Sequence, residues 1–414
     1  MIKICYNRTC ILISLFFSVL SCSMSSAGDP DSSVVSTGVS INSSSDSSGG
    51  TAGGSSTNYF SDYETVPRSL DNSLTTEEAK YNYFEKMFSE LSGDSTVELT
   101  GDFTGDDLCT LEASIICSDE PFIYNINLDL TSVTGLTSLN EQTFYYIDNL
   151  TGITLPDTVT EIGVSAFEGC TNLKSVTLPE GITSIPEKAF KGCTNLTSIN
   201  IPDTVTEIGV SAFEGCASLT SVTLPGGITS IPEKAFCNCK SLKSIDIPDT
   251  VTEIGVSVFE GCNNLTSVTL PKGITSIPEK AFFTCTKLTN IALPEGITTI
   301  ARDAFRSCSS LTSINIPNGV TEIGEFAFNL CNNLTSINIP DKVTKIGESA
   351  FHGCSSLTSI VLPSGITSID EKTFFGCSTL TSITIPENVE IPDSAIEKCP
   401  SNLIITYYKP NETK

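Results

Sequence analysis

From residue 170 onward the apolar positions of this chain return on a strict schedule. Leu173, Val176 and Leu178 are apolar, while Lys174, Ser175 and Thr177 are polar. The alternation from Ser175 to Leu178 has the two-residue period of a β-strand with one buried face. The pattern returns as Leu196, Ile199 and Ile201, then as Leu219, Val222 and Leu224. Proline closes these strands at Pro179, Pro202, Pro225 and Pro248, where no ladder hydrogen bond need be donated. A second short apolar pair follows, as in Ile182 and Ile185, and then an Ala-Phe step such as Ala189-Phe190. Phenylalanines recur every 23 residues from Phe167 to Phe374, and ten cysteines do the same from Cys170 to Cys377.

A fixed period in this range is the signature of a solenoid, built by stacking one small unit. Tyr124 begins a divergent unit, Ile147 begins one with isoleucine in the cysteine place, and Cys377 opens a last unit shortened by one residue. The prediction is about twelve units over residues 124–398. One unit holds too few apolar side chains to offset the entropy of ordering its backbone, so stability must come from its neighbours. Residues 59–123 are expected to cap the first turn, which would otherwise expose an apolar end and unpaired edges. Within the cap, residues 74–91 predict one helix. Thr75 and Glu78 form a capping box, and Ala79, Tyr83, Phe84, Met87, Phe88 and Leu91 share a face. Residues 399–414 read as the opposite cap, with a strand over 403–408 (LIITYY).

The columns L-x-S-I-x-I-P-x-x-V-T-x-I-G-x-x-A-F-x-G-C resemble the BspA-like, or Treponema pallidum-type, leucine-rich repeats. Residues 196–216 (LTSINIPDTVTEIGVSAFEGC) are a close match, and the resemblance extends over about two-thirds of the chain. It implies a curved leucine-rich-repeat horseshoe, β-rich with short strands, whose LxSIxI segments line the concave face. It also implies a secreted or surface protein of a kind that often adheres to host matrix proteins such as fibronectin, or to other bacteria. No C-terminal wall-sorting motif or transmembrane segment is read from the sequence, so any anchor is expected to be N-terminal.

Charge narrows the partners. The 414 residues hold 22 basic and 48 acidic side chains, a formal net charge of −26. That disfavours nucleic acid, whose phosphates need clustered Lys and Arg, and docking on anionic lipid through a basic face. Residues 1–27 read as an export signal, with Lys3 and Arg8 before a short apolar core at 11–20 (ILISLFFSVL). Val19-Leu20-Ser21-Cys22 resembles a lipobox in which Cys22 is lipidated; Ser25-Ser26-Ala27 offers an ordinary cleavage site instead. Residues 28–58 are Ser/Gly-rich and suit a disordered tether spanning about 30 Å. Contact with a membrane is expected only through that lipid.

Chemistry is sparse. The repeating cysteines have neither zinc-ligand spacing nor the Cβ separation a disulfide prefers, so they read as a column of buried thiols. Cys109 and Cys117 in the cap are either bonded or free. The single histidine, His352, stands at a variable surface position, so no enzyme and no cofactor or metal are predicted. The candidate binding residues are the outward columns of the concave strands: Ser175, Ser198, Ser221, Ser244 and Ser267, beside Thr177, Asn200, Thr223, Asp246, Thr269, Asn315 and Asn338. Such hydroxyl and amide ladders can hold an extended peptide or glycan, or can simply be solvated. A further threonine column, Thr160 to Thr367, reads as structural. A 46-residue superperiod places Glu161, Glu207 and Glu253 on alternate rungs, opposite Ser184, Ser230 and Ser276. The expectation is an exported surface protein mediating protein–protein or adhesive contacts with a protein or glycan, such as host extracellular matrix. The alternative is a spacer lipoprotein without a specific ligand. Mass spectrometry of the mature N-terminus checks the anchor: a diacylated or triacylated Cys22 is expected, and cleavage after Ala27 would overturn it.

Overall fold

The computed structural model describes residues 2–6, 9–13, 64–69, 76–91, 93–116 and 124–409. Cys22, both processing sites, the Ser/Gly-rich tether and Cys117 lie outside the described residues. Strands β1 (Ile2–Tyr6) and β2 (Thr9–Ile13) pair antiparallel. The rest forms a parallel solenoid. Its first sheet runs β3 (Glu64–Ser69), β4 (Ser95–Asp102), β5 (Ile126–Thr134), β6 (Leu150–Thr154) and β7 (Ser175–Thr177), in that spatial order. The register Thr96↔Asn127↔Gly152↔Ser175 carries the outward column of the repeats back into the cap.

Helices α1 (Glu77–Ser89) and α2 (Gly105–Ile116) connect the cap strands. The N-cap of α1 is Thr76, one residue later than the predicted capping box, and its Oγ1 accepts from the Ala79 N–H at 3.2 Å. Phe84, Met87 and Phe88 are buried, as the helical spacing requires. Helix α2 buries its own apolar stripe, Leu108, Leu111 and Ile115, and its start is written in Thr104 and Asp107. The Thr104 N–H and hydroxyl both donate to Asp107 Oδ2, at 2.7 and 2.8 Å. Asp107 also receives Lys80 of α1, so one buried carboxylate joins the two helices. Burial alone would raise its pKa; the bonds from Lys80 and Thr104 outweigh that and hold it below the ordinary carboxylate value.

Each 23-residue turn has three hydrogen-bonded ladders. The concave strands pair in parallel, as Ser198–Ile199 with Ser221–Val222. The second apolar pair forms its own ladder, as Ser184–Ile185 with Glu207–Ile208. The Ala-Phe step forms the third: the Phe190 N–H donates to Ala212 O and the Phe213 N–H to Ala235 O, both at 2.9 Å. Between the ladders Leu196, Ile199, Ile201, Val205, Ile208, Ala212, Phe213 and Cys216 are all buried, and the other 23-residue turns bury the same columns save for the half-buried Ile254. From Phe144 to Phe374 the rings stack with centroids 5.3–5.9 Å apart and planes within 21°. Strand rungs lie about 4.8 Å apart. The wider spacing on the phenylalanine side is what curvature toward the strand face requires.

The thiols are inside this stack. Eleven of them, from Cys170 to Cys399, donate to the carbonyl of the phenylalanine one turn earlier, as Cys193 Sγ to Phe167 O at 3.1 Å and Cys216 Sγ to Phe190 O at 3.2 Å. Burial raises the pKa of those in the 23-residue series far above the usual thiol range, so they are not nucleophiles. Cys237, outside the series, is pushed up to about 12 by burial and nearby Glu260 and Glu214.

Two backbone positions per turn lie at positive φ. One is glycine in half the turns, as at Gly169, Gly192 and Gly215, and a side-chain-bearing residue in the others, including Thr284 at φ 58°. The 46-residue superperiod also has a backbone correlate. Pro186 and Pro232 alternate with Gly209 and Gly255, which donate to Ile185 and Ile231 carbonyls at 2.7 Å; a Cβ on either glycine would strike the backbone of the proline rung. Two outcomes follow for stability. Thr284→Gly relieves a β-branched residue in the left-handed region and is expected to stabilise by up to about 1 kcal/mol, read as a raised urea midpoint at unchanged slope. Asp107→Ala is expected to cost about 3 kcal/mol, since it leaves the partly buried Lys80 only the longer Glu77 contact at 3.4 Å and removes the acceptor of the Thr104 N–H. Because the Asp107 pKa is depressed, its contribution is complete above the unfolded carboxylate value and is lost as pH falls through the folded one. The wild-type and variant denaturation midpoints should therefore converge on acidification.

Candidate functional site

All twelve candidate residues lie on the strand face, in two columns. Ser175 is half-buried and the other eleven are exposed. The registers Ser198↔Ser221, Ser244↔Ser267, Asp246↔Thr269 and Asn315↔Asn338 place them side by side on successive rungs. Each serine precedes a buried Ile or Val, which fixes its outward direction by the pleat.

The neighbouring hydroxyls differ in what they are free to do. The column Thr197, Thr220, Thr266, Thr312, Thr335 and Thr381, immediately before the serines, turns back onto the solenoid. Thr220 Oγ1 donates to Thr197 O at 3.2 Å and Thr266 Oγ1 to Lys243 O at 3.0 Å. The sequence reading gave this column no role. The Thr160–Thr367 column behaves as the structural ladder it was read to be, as in Thr298 Oγ1 to Thr275 O at 3.1 Å and Thr321 Oγ1 to Thr298 O at 3.3 Å. By contrast the hydroxyls of Ser198, Ser221, Ser244 and Ser267, and the amides of Asn200, Asn315 and Asn338, form no hydrogen bond with other described residues. Thr269 Oγ1 donates to Asp246 Oδ1 at 2.6 Å, so that rung is partly self-satisfied.

Two shallow depressions lie on this face. One is lined by Ser313–Asn315, Ser336–Asn338 and Ser359–Val361, with Val361 adding an exposed apolar side chain. The other is lined by residues 221–224 and 244–248. Between Ser175 and Thr384 the two columns carry one charge, Asp246. At their N-terminal end Gly152 interrupts the serine column. The Asn127 carboxamide fills that gap, with Oδ1 buried and lacking a hydrogen-bond partner.

The acidic residues stand elsewhere. Glu207 and Glu253 sit in the second ladder against Ser184 and Ser230, and farther along Glu322 pairs with Lys345 at 2.7 Å. His352 lies on the phenylalanine turn, edge-on to Phe375 at 4.8 Å. Burial and the nearby Lys372, Arg306 and Lys398 lower its pKa. Among the described residues no group of three His, Cys, Asp or Glu side chains could hold a metal, and no helix is long and apolar enough to cross a membrane.

With this geometry in place, comparison with known proteins is specific. A profile described as "BspA type Leucine rich repeat region (6 copies)" matches residues 120–243, 206–323 and 298–412. A leucine rich cell surface protein from Faecalibacterium prausnitzii is 29% identical, with a TM-score of 0.50 over 74% of this chain and 83% of its own. The pneumococcal vaccine antigen PcpA shares the fold at 22% identity and TM-score 0.50, over 66% of this chain and 74% of its own. No curated protein matches. The register, the stacked columns and the profile match agree: the chain belongs to the BspA type leucine-rich repeat family.

Proposed function

We propose that this protein is an exported, surface-exposed adhesion module that binds a protein or glycan along its concave strand face. The observation that carries the reading is the serine and Asn/Thr columns, whose polar groups are exposed and unspent on the fold. A hydroxyl the fold does not use is available to a ligand at little desolvation cost, and its repetition on successive rungs suits an extended chain. The near absence of charge in this strip, in a chain of net charge −26, favours an uncharged polar ligand over a polycation or polyanion. Ser175, Thr177, Ser198, Asn200, Ser221, Thr223, Ser244, Asp246, Ser267, Thr269, Asn315 and Asn338 are the proposed contacts, and Cys22 the proposed lipid anchor. The name of the Faecalibacterium protein supports a cell-surface placement.

The test is binding of the full chain to a panel of matrix proteins and neutral glycans. Saturable binding is expected, and the pair Ser221→Lys and Ser244→Lys should weaken it at least tenfold without moving the melting temperature. No saturable binding across the panel, or binding indifferent to both substitutions, would favour a spacer without a specific ligand.

A further inference from the structure

The strand Ile404–Tyr408 closes the last described sheet. It pairs in parallel with Ser382–Pro386 on one side, and among the described residues no strand pairs with its other side. Ile404 and Tyr407, 64% and 55% exposed, are the most exposed large apolar side chains among the described residues. An open edge of this kind templates pairing with another chain unless proline, charge or a bulge guards it. The segment IITYY has none.

The direction of its backbone groups follows from two bonds. The Ile404 N–H donates to Thr381 O, and the Glu387 N–H donates to Tyr408 O, both at 2.9 Å. Ile404, Thr406 and Tyr408 therefore turn their backbone groups toward the neighbouring strand. By strand alternation Ile405 and Tyr407 turn theirs to the open edge.

We propose that this edge pairs with the same edge of a second copy, antiparallel, with Thr406 on the two-fold axis. In that register Ile405 of one copy and Tyr407 of the other exchange both N–H···O bonds, and the reciprocal pair does the same. All four outward groups of each strand are then used. The facing side chains are Ile404 with Tyr408, Ile405 with Tyr407, and Thr406 with itself. These are the β-branched–aromatic and Thr–Thr pairs that stabilise antiparallel strands. Registers centred on Ile405 or Tyr407 instead set an outward residue against Leu403 or Lys409, outside the strand. The occupant is a second copy because the segment is its own complement, in backbone groups and in side chains. Net charge opposes association at long range, but physiological salt screens it beyond about 8 Å, and the strand itself is uncharged. The contact is small and isologous, so the dimer should depend on concentration.

Sedimentation equilibrium of the full chain tests this. The expected mass rises from one chain toward two with concentration. Thr406→Lys, which sets like charges across the axis, should raise the dissociation constant at least tenfold while leaving the melting temperature in place. In the paired register the two Thr406 Cα atoms lie about 4.5 Å apart, within disulfide reach. Thr406→Cys should therefore give a covalent dimer under mild oxidation, with a 406–406 cross-linked peptide, whereas Asn402→Cys should not. A single-chain mass at every concentration, a dimer untouched by Thr406→Lys, or an absent 406–406 link would each overturn the proposal. If Thr406→Lys fails to fold, the cross-link decides.

Discussion

A 23-residue turn of this protein cannot satisfy its own backbone. Phe190 N–H finds its acceptor at Ala212, Ser165 N–H at Glu187 and Thr206 N–H at Thr183, each on an adjacent turn. Buried amides without partners are costly, so the inter-turn register is the constraint on which everything else rests. Holding that register aligns like with like. Phenylalanines then stack, each thiol reaches the phenylalanine carbonyl of the turn before, and the threonine hydroxyls bond along the axis. A slip of one residue would break all of these at once. Such cooperativity is what makes nearest-neighbour coupling strong in a one-dimensional fold.

The same constraint makes the ends expensive. At the N-terminal side the parallel sheet continues through β6 and β5 into β4 and β3, and helices α1 and α2 replace the phenylalanine turns as its backing. The buried Asp107, bonded to Lys80 and Thr104, is the polar fastening of that region. It is costly to bury, and tolerable because three donors reach it. The C-terminal side differs. The short helix Asp393–Ile396 keeps the phenylalanine ladder going through Phe374 N–H to Ala395 O, and Tyr408 anchors its strand through its hydroxyl to Leu362 O. These bonds hold the last turn in register, while among the described residues no strand pairs with the far edge of Ile404–Tyr408.

The solenoid was legible because its side-chain columns are periodic, and periodicity survives without knowledge of contacts. The buried thiols could be read from their spacing, since Cys170 to Cys377 fit neither a metal nor a disulfide. What was not legible depends on geometry that identical letters hide. Thr197 and Ser198 are adjacent polar residues at the start of a strand, yet one type of hydroxyl turns back to the preceding rung and the other does not. The left-handed positions were equally hidden, because residues as different as Ser165, Lys188, Asp303 and Phe326 all adopt positive φ there. Their conformation is imposed by the register, at a local cost the stack offsets. Helix α2 was missed although both its signals stand in the sequence, the Thr104–Asp107 cap and the stripe Leu108, Leu111 and Ile115.

The division of labour among hydroxyls bears on how such a surface can bind at all. A single serine contributes little to an interface, since serine is under-represented among residues that dominate binding energy. A column of them contributes through repetition. Once a ligand is held on one rung, the next lies about 4.8 Å away at a high effective concentration, and each added contact costs little further ordering entropy. Affinity then depends on how many consecutive rungs keep the same chemistry. Interruptions at Ala292, Val361 and the Asp246–Thr269 pair divide the strip into shorter runs, and the two depressions lie at residues 221–248 and 313–361, on either side of Ala292. A fold that is lengthened by copying one unit gains strand face in the same step, with the same columns and without a new core.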